Sequence, residues 1–437
     1  MFLFAWAVSA PLWGQYGGFG GPSILSRGGN AGSRAGSRPI GFRPFAGVSG
    51  NYYTNLNLFN NAASASSFTT GDSFGATATA GLQGYKSSAR SSTAVDLLLS
   101  YYWVSRQGAS RGLSESVNVS HSRQISRRVM WFVGANGQST NRSVVFANQR
   151  FSPDPVPELT PQNEEIFDTR TYRGMAATGF SFQKSARLSF SAQGAAFGAE
   201  RRSVRLADSR GFMGSGTAQY SLSRRQFVGA TFTYGTFYFP GSFGETSYYA
   251  PQGFYGVSLN QAWSFQVMAG VFRAKTTRLT SVALDPFIAE LTGQRTALEI
   301  FNGNNMGFSG GAGIAGRLRE WSLGITAMRG INPGNGVYLT NQMTSVNLNL
   351  GHDLGRSASW SLFARAAETK ALTQQIGNAR YYSAGSSLSY RLNGYLSLVG
   401  NASLYRTEAA GQRIKLDRFS ASVGLYFSPG ELPIHVF

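Results

Sequence analysis

The stretch RFSASVGLYF, residues 418–427, decides the fold because its side chains alternate strictly between two kinds. Every second residue is apolar, and the residues between them are polar or small. The apolar set is Phe419, Ala421, Val423, Leu425 and Phe427, and the intervening set is Arg418, Ser420, Ser422, Gly424 and Tyr426. A period of two indicates a β-strand with one apolar face. The stretch therefore predicts a strand that presents a continuous apolar face to its surroundings.

The same pattern recurs along residues 45–427, for example in the runs 94–103 and 263–271. Counting such runs predicts about eighteen strands, with sixteen as the alternative. Short connectors alternate with long ones, such as 142–171 and 276–304. An even strand number, tight turns at one end and long loops at the other are typical of bacterial outer-membrane barrels. We therefore predict an all-β fold, a transmembrane antiparallel β-barrel with short periplasmic turns and long extracellular loops. A soluble all-β fold such as a propeller is the alternative.

The composition favours the barrel and argues against other classes of protein. Only 14% of the 437 residues are charged, 54 are glycine and none is cysteine. So few charges cannot cover the exposed faces of soluble helices. Beyond the N-terminus, no run of eighteen apolar residues could form a membrane-spanning helix. A barrel gives no signal in such a hydropathy search, because its lipid-facing and lumen-facing residues alternate and their hydropathies cancel in the average.

Two short motifs match sequences found at active sites. Residues 307–311 fit the G-x-S-x-G of a nucleophile elbow, and residues 311–316 fit the G-x-G-x-x-G of a dinucleotide loop. Both motifs need a helix that begins directly after them, whereas here both lie within one predicted strand. His121, His352 and His435 lack ligand spacing, and metal sites lack cysteine and clustered carboxylates. We predict no enzymatic activity, no metal and no cofactor.

The formal net charge is +19, with 39 basic residues against 20 acidic ones. A nucleic-acid partner would need a basic stripe interleaved with aromatic residues. The basic residues lie mostly in connectors instead, so we predict no nucleic-acid partner. Two rings of cations around an apolar band suit lipid phosphates. The expected partners are outer-membrane lipid and lipopolysaccharide, and the loop-side cations include Arg201, Arg202 and Lys275.

The two ends of the chain differ from the repeating middle. Residues 1–14 are apolar and are predicted to be the remnant of a secretory signal peptide, with a buried first strand as the alternative. Residues 15–44 are rich in Gly, Ser and Arg and are predicted to be a flexible leader. In this division, residues 45–427 form the barrel and residues 428–437 form a C-terminal tail.

The alternating runs, the connector lengths and the final aromatic strand together resemble porin-like outer-membrane β-barrel proteins of Gram-negative bacteria. This resemblance of pattern covers residues 45–427 and implies a location in the cell outer membrane. Such proteins often end in a strand with a terminal aromatic residue, which the barrel-assembly machinery recognises. Residues 419–427 are similar to that signal, and Phe437 is the alternative aromatic. The resemblance also makes the small-residue face of strand 187–201 a candidate homotrimer interface, with exposure to lipid as the alternative.

A barrel of this size encloses an aqueous channel. The candidate pore-lining residues are Arg365, Arg418, Arg142, Gln193, Gln219 and Gln266. Lumenal arginines would favour anions, unless loop carboxylates neutralise them. In general porins one long loop folds inward and sets the pore size, and the resemblance implies loop 142–171, with a solvated surface loop as the alternative. Its candidate constriction residues are Asp154, Glu158, Glu164, Glu165 and Asp168.

These observations leave three functions open. The first is an outer-membrane channel for passive diffusion of small hydrophilic solutes, with a preference for anions. The second is an export conduit for an acidic exopolysaccharide, although the lumenal arginines are few for that role. The third is a non-conducting structural or adhesive outer-membrane barrel whose loops carry the function.

Overall fold

The computed structural model describes residues 40–54, 72–105, 110–141, 170–203, 206–242, 244–283, 287, 290, 296–334, 336, 339–355, 357–372, 377–409, 414–429 and 432–434. The first strands are β1 Ile40–Tyr53, β2 Ser73–Ser87, β3 Ser91–Ser105, β4 Ser110–Gln124, β5 Val129–Asn141, β6 Arg170–Gln183, β7 Leu188–Arg201, β8 Ser209–Ser221 and β9 Gln226–Phe239. They are followed by β10 Gly244–Ser258, β11 Trp263–Ala283, β12 Thr296–Leu318, β13 Trp321–Asn332, β14 Asn341–Leu354, β15 Ala358–Ala371, β16 Ala379–Arg391, β17 Leu396–Ala409, β18 Ile414–Phe427 and β19 Leu432–Ile434.

Strands β1 to β18 form one closed antiparallel barrel within the described part of the chain. Each strand pairs with the next in sequence, and β1 closes the sheet by pairing with β18 from Ala46↔Phe427 to Tyr53↔Ser420. The predicted fold class is therefore confirmed. Among the described residues, no helix is long and apolar enough to cross a membrane.

The stretch at residues 418–427 shows how the alternation builds the wall. Val423 on β18 is 62% exposed and lies between Gly50 of β1 and Gly400 of β17 on the outer face. Ser420, on the opposite face, is buried, and its hydroxyl lies 2.6 Å from that of Ser403. Apolar side chains therefore face outward, where lipid solvates them, and polar ones face the lumen.

The short turns at one end of the barrel share a hydrogen-bonding pattern. Ser126 Oγ accepts bonds from the backbone N–H groups of Arg128 and Val129, at 3.2 and 3.1 Å. Asn393 Oδ1 accepts from Tyr395 and Leu396, both at 2.8 Å. Ser185, Ser223 and Asn260 make the same pair of bonds. Because Ser and Asn side chains satisfy two turn amides at once, these connectors stay short.

Inside the barrel, aromatic rings occupy the space above glycines of neighbouring strands. The ring of Phe227 fills the position that a Cβ on Gly256 would take, and the ring of Phe254 does the same at Gly229. Each ring and its glycine are register partners on β9 and β10. Phe132 with Gly179, Phe363 with Gly385 and Phe45 with Gly81 repeat the arrangement. Rings held in this way lie against the wall and leave the lumen clear.

Two segments extend the barrel beyond the predicted boundaries. The segment expected to be loop 276–304 is largely a ladder, because β11 and β12 continue to pair as far as Ala283↔Thr296. Leu298 and Ile300 face outward in this part of β12, but the alternation covers too few residues for the sequence to distinguish it from a loop. At the other end, β1 begins at Ile40, inside the predicted leader, because residues 40–42 pair with β19 in the predicted tail. Residues 1–14 and the rest of the leader lie outside the described residues.

Candidate functional site

The inner wall at mid-height is lined by hydroxyl and amide groups that bond to each other across strands. Thr79 and Ser100 lie 3.2 Å apart through their hydroxyls, and Gln193 Nε2 donates to Ser215 Oγ at 3.0 Å. Further pairs of this kind join Asn51 to Thr77, Thr217 to Thr231, Gln252 to Ser309 and Asn401 to Ser422. These side chains are neutral and largely satisfied, so the wall is wettable without a strong field of its own.

Two arginines lie near one another on the inner faces of β15 and β18. The ladder registers place Asn347, Arg365, Ser383, Tyr405 and Arg418 side by side on the inner faces of β14 to β18. Arg365 and Arg418 are three strands apart, or about 14 Å between their Cα atoms. This row therefore places two cations on the same side of the lumen.

The other predicted lining residues divide into two groups. Gln193, Gln219 and Gln266 lie on the inner faces of β7, β8 and β11, and their role in permeation stays a prediction. Arg142 and the predicted constriction residues lie outside the described residues, namely Asp154, Glu158, Glu164, Glu165 and Asp168.

A different loop fills part of the lumen at the long-loop end. Among the described residues between β13 and β14, Leu339 packs against the inner wall, where it is only 6% exposed. The wall residues of this cluster are Met175, Ala177, Ala195, Met213, Phe237, Phe239, Tyr248, Ala250, Phe272 and Ala274. The hydroxyl of Thr340 lies 2.8 Å from that of Thr246, which in turn lies 2.9 Å from that of Thr276. An apolar anchor and a buried hydroxyl chain thus fix this loop to the wall.

The connection between β7 and β8 meets the first loop at Ala207. Arg201 Nη1 donates to the Ala207 carbonyl at 2.6 Å, and the Ala207 N–H donates to the Gly336 carbonyl at 2.9 Å. Gly336 has a φ of +88°, and a Cβ there would lie 2.8 Å from Arg201 Cδ. Only glycine fits a left-handed position so close to a neighbour. The expectation that Arg201 contacts lipid is wrong, because its side chain is buried inside the barrel between the two loops.

We call the described residues of these two connections, 202–203, 206–208, 333–334, 336 and 339–340, the inner lobe. The inner lobe packs against an apolar stretch of inner wall that runs from β6 to β11 and so narrows the lumen at that end. The sequence gives little sign of it. Its one available signal was the apolar Leu339 next to the Pro333-Gly334 turn in a short loop.

The described residues hold no group of three or more His, Cys, Asp or Glu side chains that could bind a metal ion. The closed antiparallel wall, the outward apolar face and the contrast between short turns and long loops are those of an outer-membrane barrel. The chain therefore folds as a closed transmembrane β-barrel of the outer-membrane type.

No protein-family model and no curated protein matches the chain. Solved structures similar to it include Pseudomonas aeruginosa OccK7 (OpdD), at 11% identity and a TM-score of 0.42, covering 91% of this chain and 100% of that one. OccK2 (OpdF) of the same species in complex with glucuronate has 10% identity and a TM-score of 0.41, covering 89% and 98%. A BenF-like porin from Pseudomonas fluorescens Pf-5 has 9% identity and a TM-score of 0.41, covering 89% and 98%.

Proposed function

We propose that the protein is a channel for passive diffusion of small hydrophilic solutes across the outer membrane, with a preference for anions. The observation that carries this proposal is the row that contains Arg365 and Arg418 among neutral side chains on the inner faces of β14 to β18. A wall of hydroxyl and amide groups offers passing solutes hydrogen bonds of nearly equal strength. Such a wall lets solutes exchange one contact for the next without binding tightly.

The two arginines supply the selectivity. At about 7 Å in water, one unit charge interacts with another by about 0.6 kcal/mol, which corresponds to a threefold preference per arginine. Because the inner lobe restricts the path on the side of β6 to β11, solutes pass closer to the opposite wall, where both arginines lie. Together they raise the local concentration of a small anion roughly sevenfold and lower that of the matching cation by the same factor, a ratio of about 50 at low ionic strength, where screening is weak.

The test is the reversal potential of single channels in a planar bilayer under a dilute KCl gradient. Wild-type protein is compared with the double variant Arg365→Gln/Arg418→Gln. The matched control is Arg380→Gln/Arg406→Gln, which removes the same charge from the outer face of β16 and β17. We expect the first variant to lose most of the anion preference and the control to keep it. Equal reversal potentials for wild type and the first variant would refute the role of the arginines.

The inner lobe also favours a second candidate, a barrel that does not conduct at rest. Leu339 and Thr340 are as buried as core residues, and this degree of packing is typical of a stable closure rather than a loosely placed loop. The same recordings separate the two functions. Steady ohmic current from wild-type protein supports the open channel, and silence from correctly folded protein supports the closed barrel.

A further inference from the structure

Four basic side chains face outward at the long-loop end between β8 and β13. They are Arg210 on β8, Arg273 and Lys275 on β11, and Arg329 on β13, and we call them the basic rim. Arg273 and Lys275 continue the outward face that begins with the exposed Val271. The basic rim therefore faces lipid and not the lumen, so it does not line the proposed channel.

The height of these cations follows from the strand registers. Tyr234, Tyr249 and Arg273 are neighbours in one row across β9, β10 and β11, and both tyrosines are exposed on the outer face. Exposed tyrosines mark the boundary between hydrocarbon and headgroups. Arg273 thus lies at this boundary, and Lys275 lies one step farther out, at headgroup level.

Neutral partners orient two of the guanidinium groups of the basic rim. Arg273 Nε donates to Asn304 Oδ1 at 2.9 Å, and Arg329 Nη2 donates to Gln342 Oε1 at 3.0 Å. Amide oxygens fix the side chains but leave their charge uncompensated. The acids on the same outer face are Glu200 and Glu245, and neither forms an ion pair with the basic rim among the described residues.

The outer face of β15 to β18 provides the contrast. There Arg380 Nε lies 3.3 Å from Glu368 Oε1, and Arg406 Nε lies 2.7 Å from Glu408 Oε1 and 3.7 Å from Asp417 Oδ1. Arginines at the same end of the same barrel are thus neutralised on one side and left charged on the other. Solubility does not require this asymmetry, but an anionic partner at the basic rim would explain it.

We propose that the basic rim binds the phosphate group of a phosphorylated lipid in the outer leaflet. Arg273 and Lys275 are two residues apart on one face, so their Cα atoms are about 7 Å apart and both side chains can reach one phosphate. The Nη groups of Arg273 contact two phosphate oxygens while Nε keeps its bond to Asn304. Arg329 lies two strands and four register steps away, roughly 16 Å, and contacts a second phosphate.

The experiment measures binding of lipid A to the full chain in detergent micelles by native mass spectrometry. Wild type is compared with Arg273→Gln/Lys275→Gln, with the control Arg380→Gln/Arg406→Gln, and with the charge-retaining Arg273→Lys. Removing the charges of Arg273 and Lys275 is expected to weaken lipid A binding roughly 30-fold, because each cation contributes about a factor of five near an anionic surface. The control is expected to change binding less than threefold, and Arg273→Lys is expected to retain most of it.

Two further probes test the nature of the ligand. Dephosphorylated lipid A should bind the wild type as weakly as lipid A binds the double variant. Equal binding of both lipids would overturn the phosphate assignment, and an equal loss in the control variant would overturn the site. Displacement of lipid A by an equal concentration of inorganic phosphate would overturn the lipid as ligand. Single-channel current is recorded for every variant, so a failure of the channel proposal is detected separately.

Discussion

Replacing Leu339 with Ala is expected to release the inner lobe and increase the time that the channel spends open. Leu339 is almost fully buried in a cluster with ten wall residues, whereas Thr340 is held by neutral hydrogen bonds such as the one to Thr246. A buried Leu→Ala change costs about 2–5 kcal/mol. A bond between neutral groups contributes only about 1 kcal/mol. Leu339 is therefore the main anchor of the docked lobe.

A loss of about 3 kcal/mol shifts the balance between docked and released lobe roughly 150-fold. The assay is single-channel recording at fixed voltage, scored by open probability and by the size of the largest current step. Leu298→Ala is the matched control, because Leu298 is 73% exposed on β12 and touches no part of the lobe. Both variants must first show the heat-dependent gel migration of a folded barrel. If Leu339→Ala gives the same steps and open probability as Leu298→Ala, the lobe does not limit the current.

Two predictions concern the stability of the wall, measured as the free energy of unfolding in urea from lipid vesicles. Asn393→Ala removes the acceptor of two turn amides and should lower that free energy by about 1–2 kcal/mol; an unchanged value would mean that water satisfies the turn equally well. Gly256→Ala forces its new methyl group against the ring of Phe227 and should cost about 1–3 kcal/mol. Gly137→Ala, at an outward position with open space, should cost less than about 0.5 kcal/mol, and equal costs at both glycines would contradict the steric argument.

The fold could be predicted from the sequence because its signal is local and repeated. Each strand carries its own period of two, as residues 418–427 show, and no long-range information is needed to recognise it. The turns are equally local, since Ser126 or Asn393 bonds to amides only two and three residues away. Strand number and topology then follow from the sequence of runs and connectors.

The inner lobe could not be predicted, because its position depends on residues distant in sequence. Leu339 is buried only because β6 to β11 present an apolar inner surface at the same height. The charge of Arg201 favours a position at lipid, yet its side chain is buried inside the barrel, where it donates to the carbonyl of Ala207 and lies close to Gly336. The constriction prediction falls on the longest loop, 142–171, because length and acidic residues are visible in a sequence and packing is not; its acidic residues lie outside the described residues.

The paired rings and glycines of β9 and β10 also bear on how the barrel is assembled. A slip of two residues between neighbouring strands keeps every apolar side chain outward, so alternation alone cannot reject it. In one direction such a slip would bring Phe227 opposite Phe254, and two rings would compete for one space. In the other direction it would bring Gly229 opposite Gly256 and leave both rings without a recess. The two reciprocal ring–glycine pairs thus allow a single register between β9 and β10 when the hairpin inserts into the membrane.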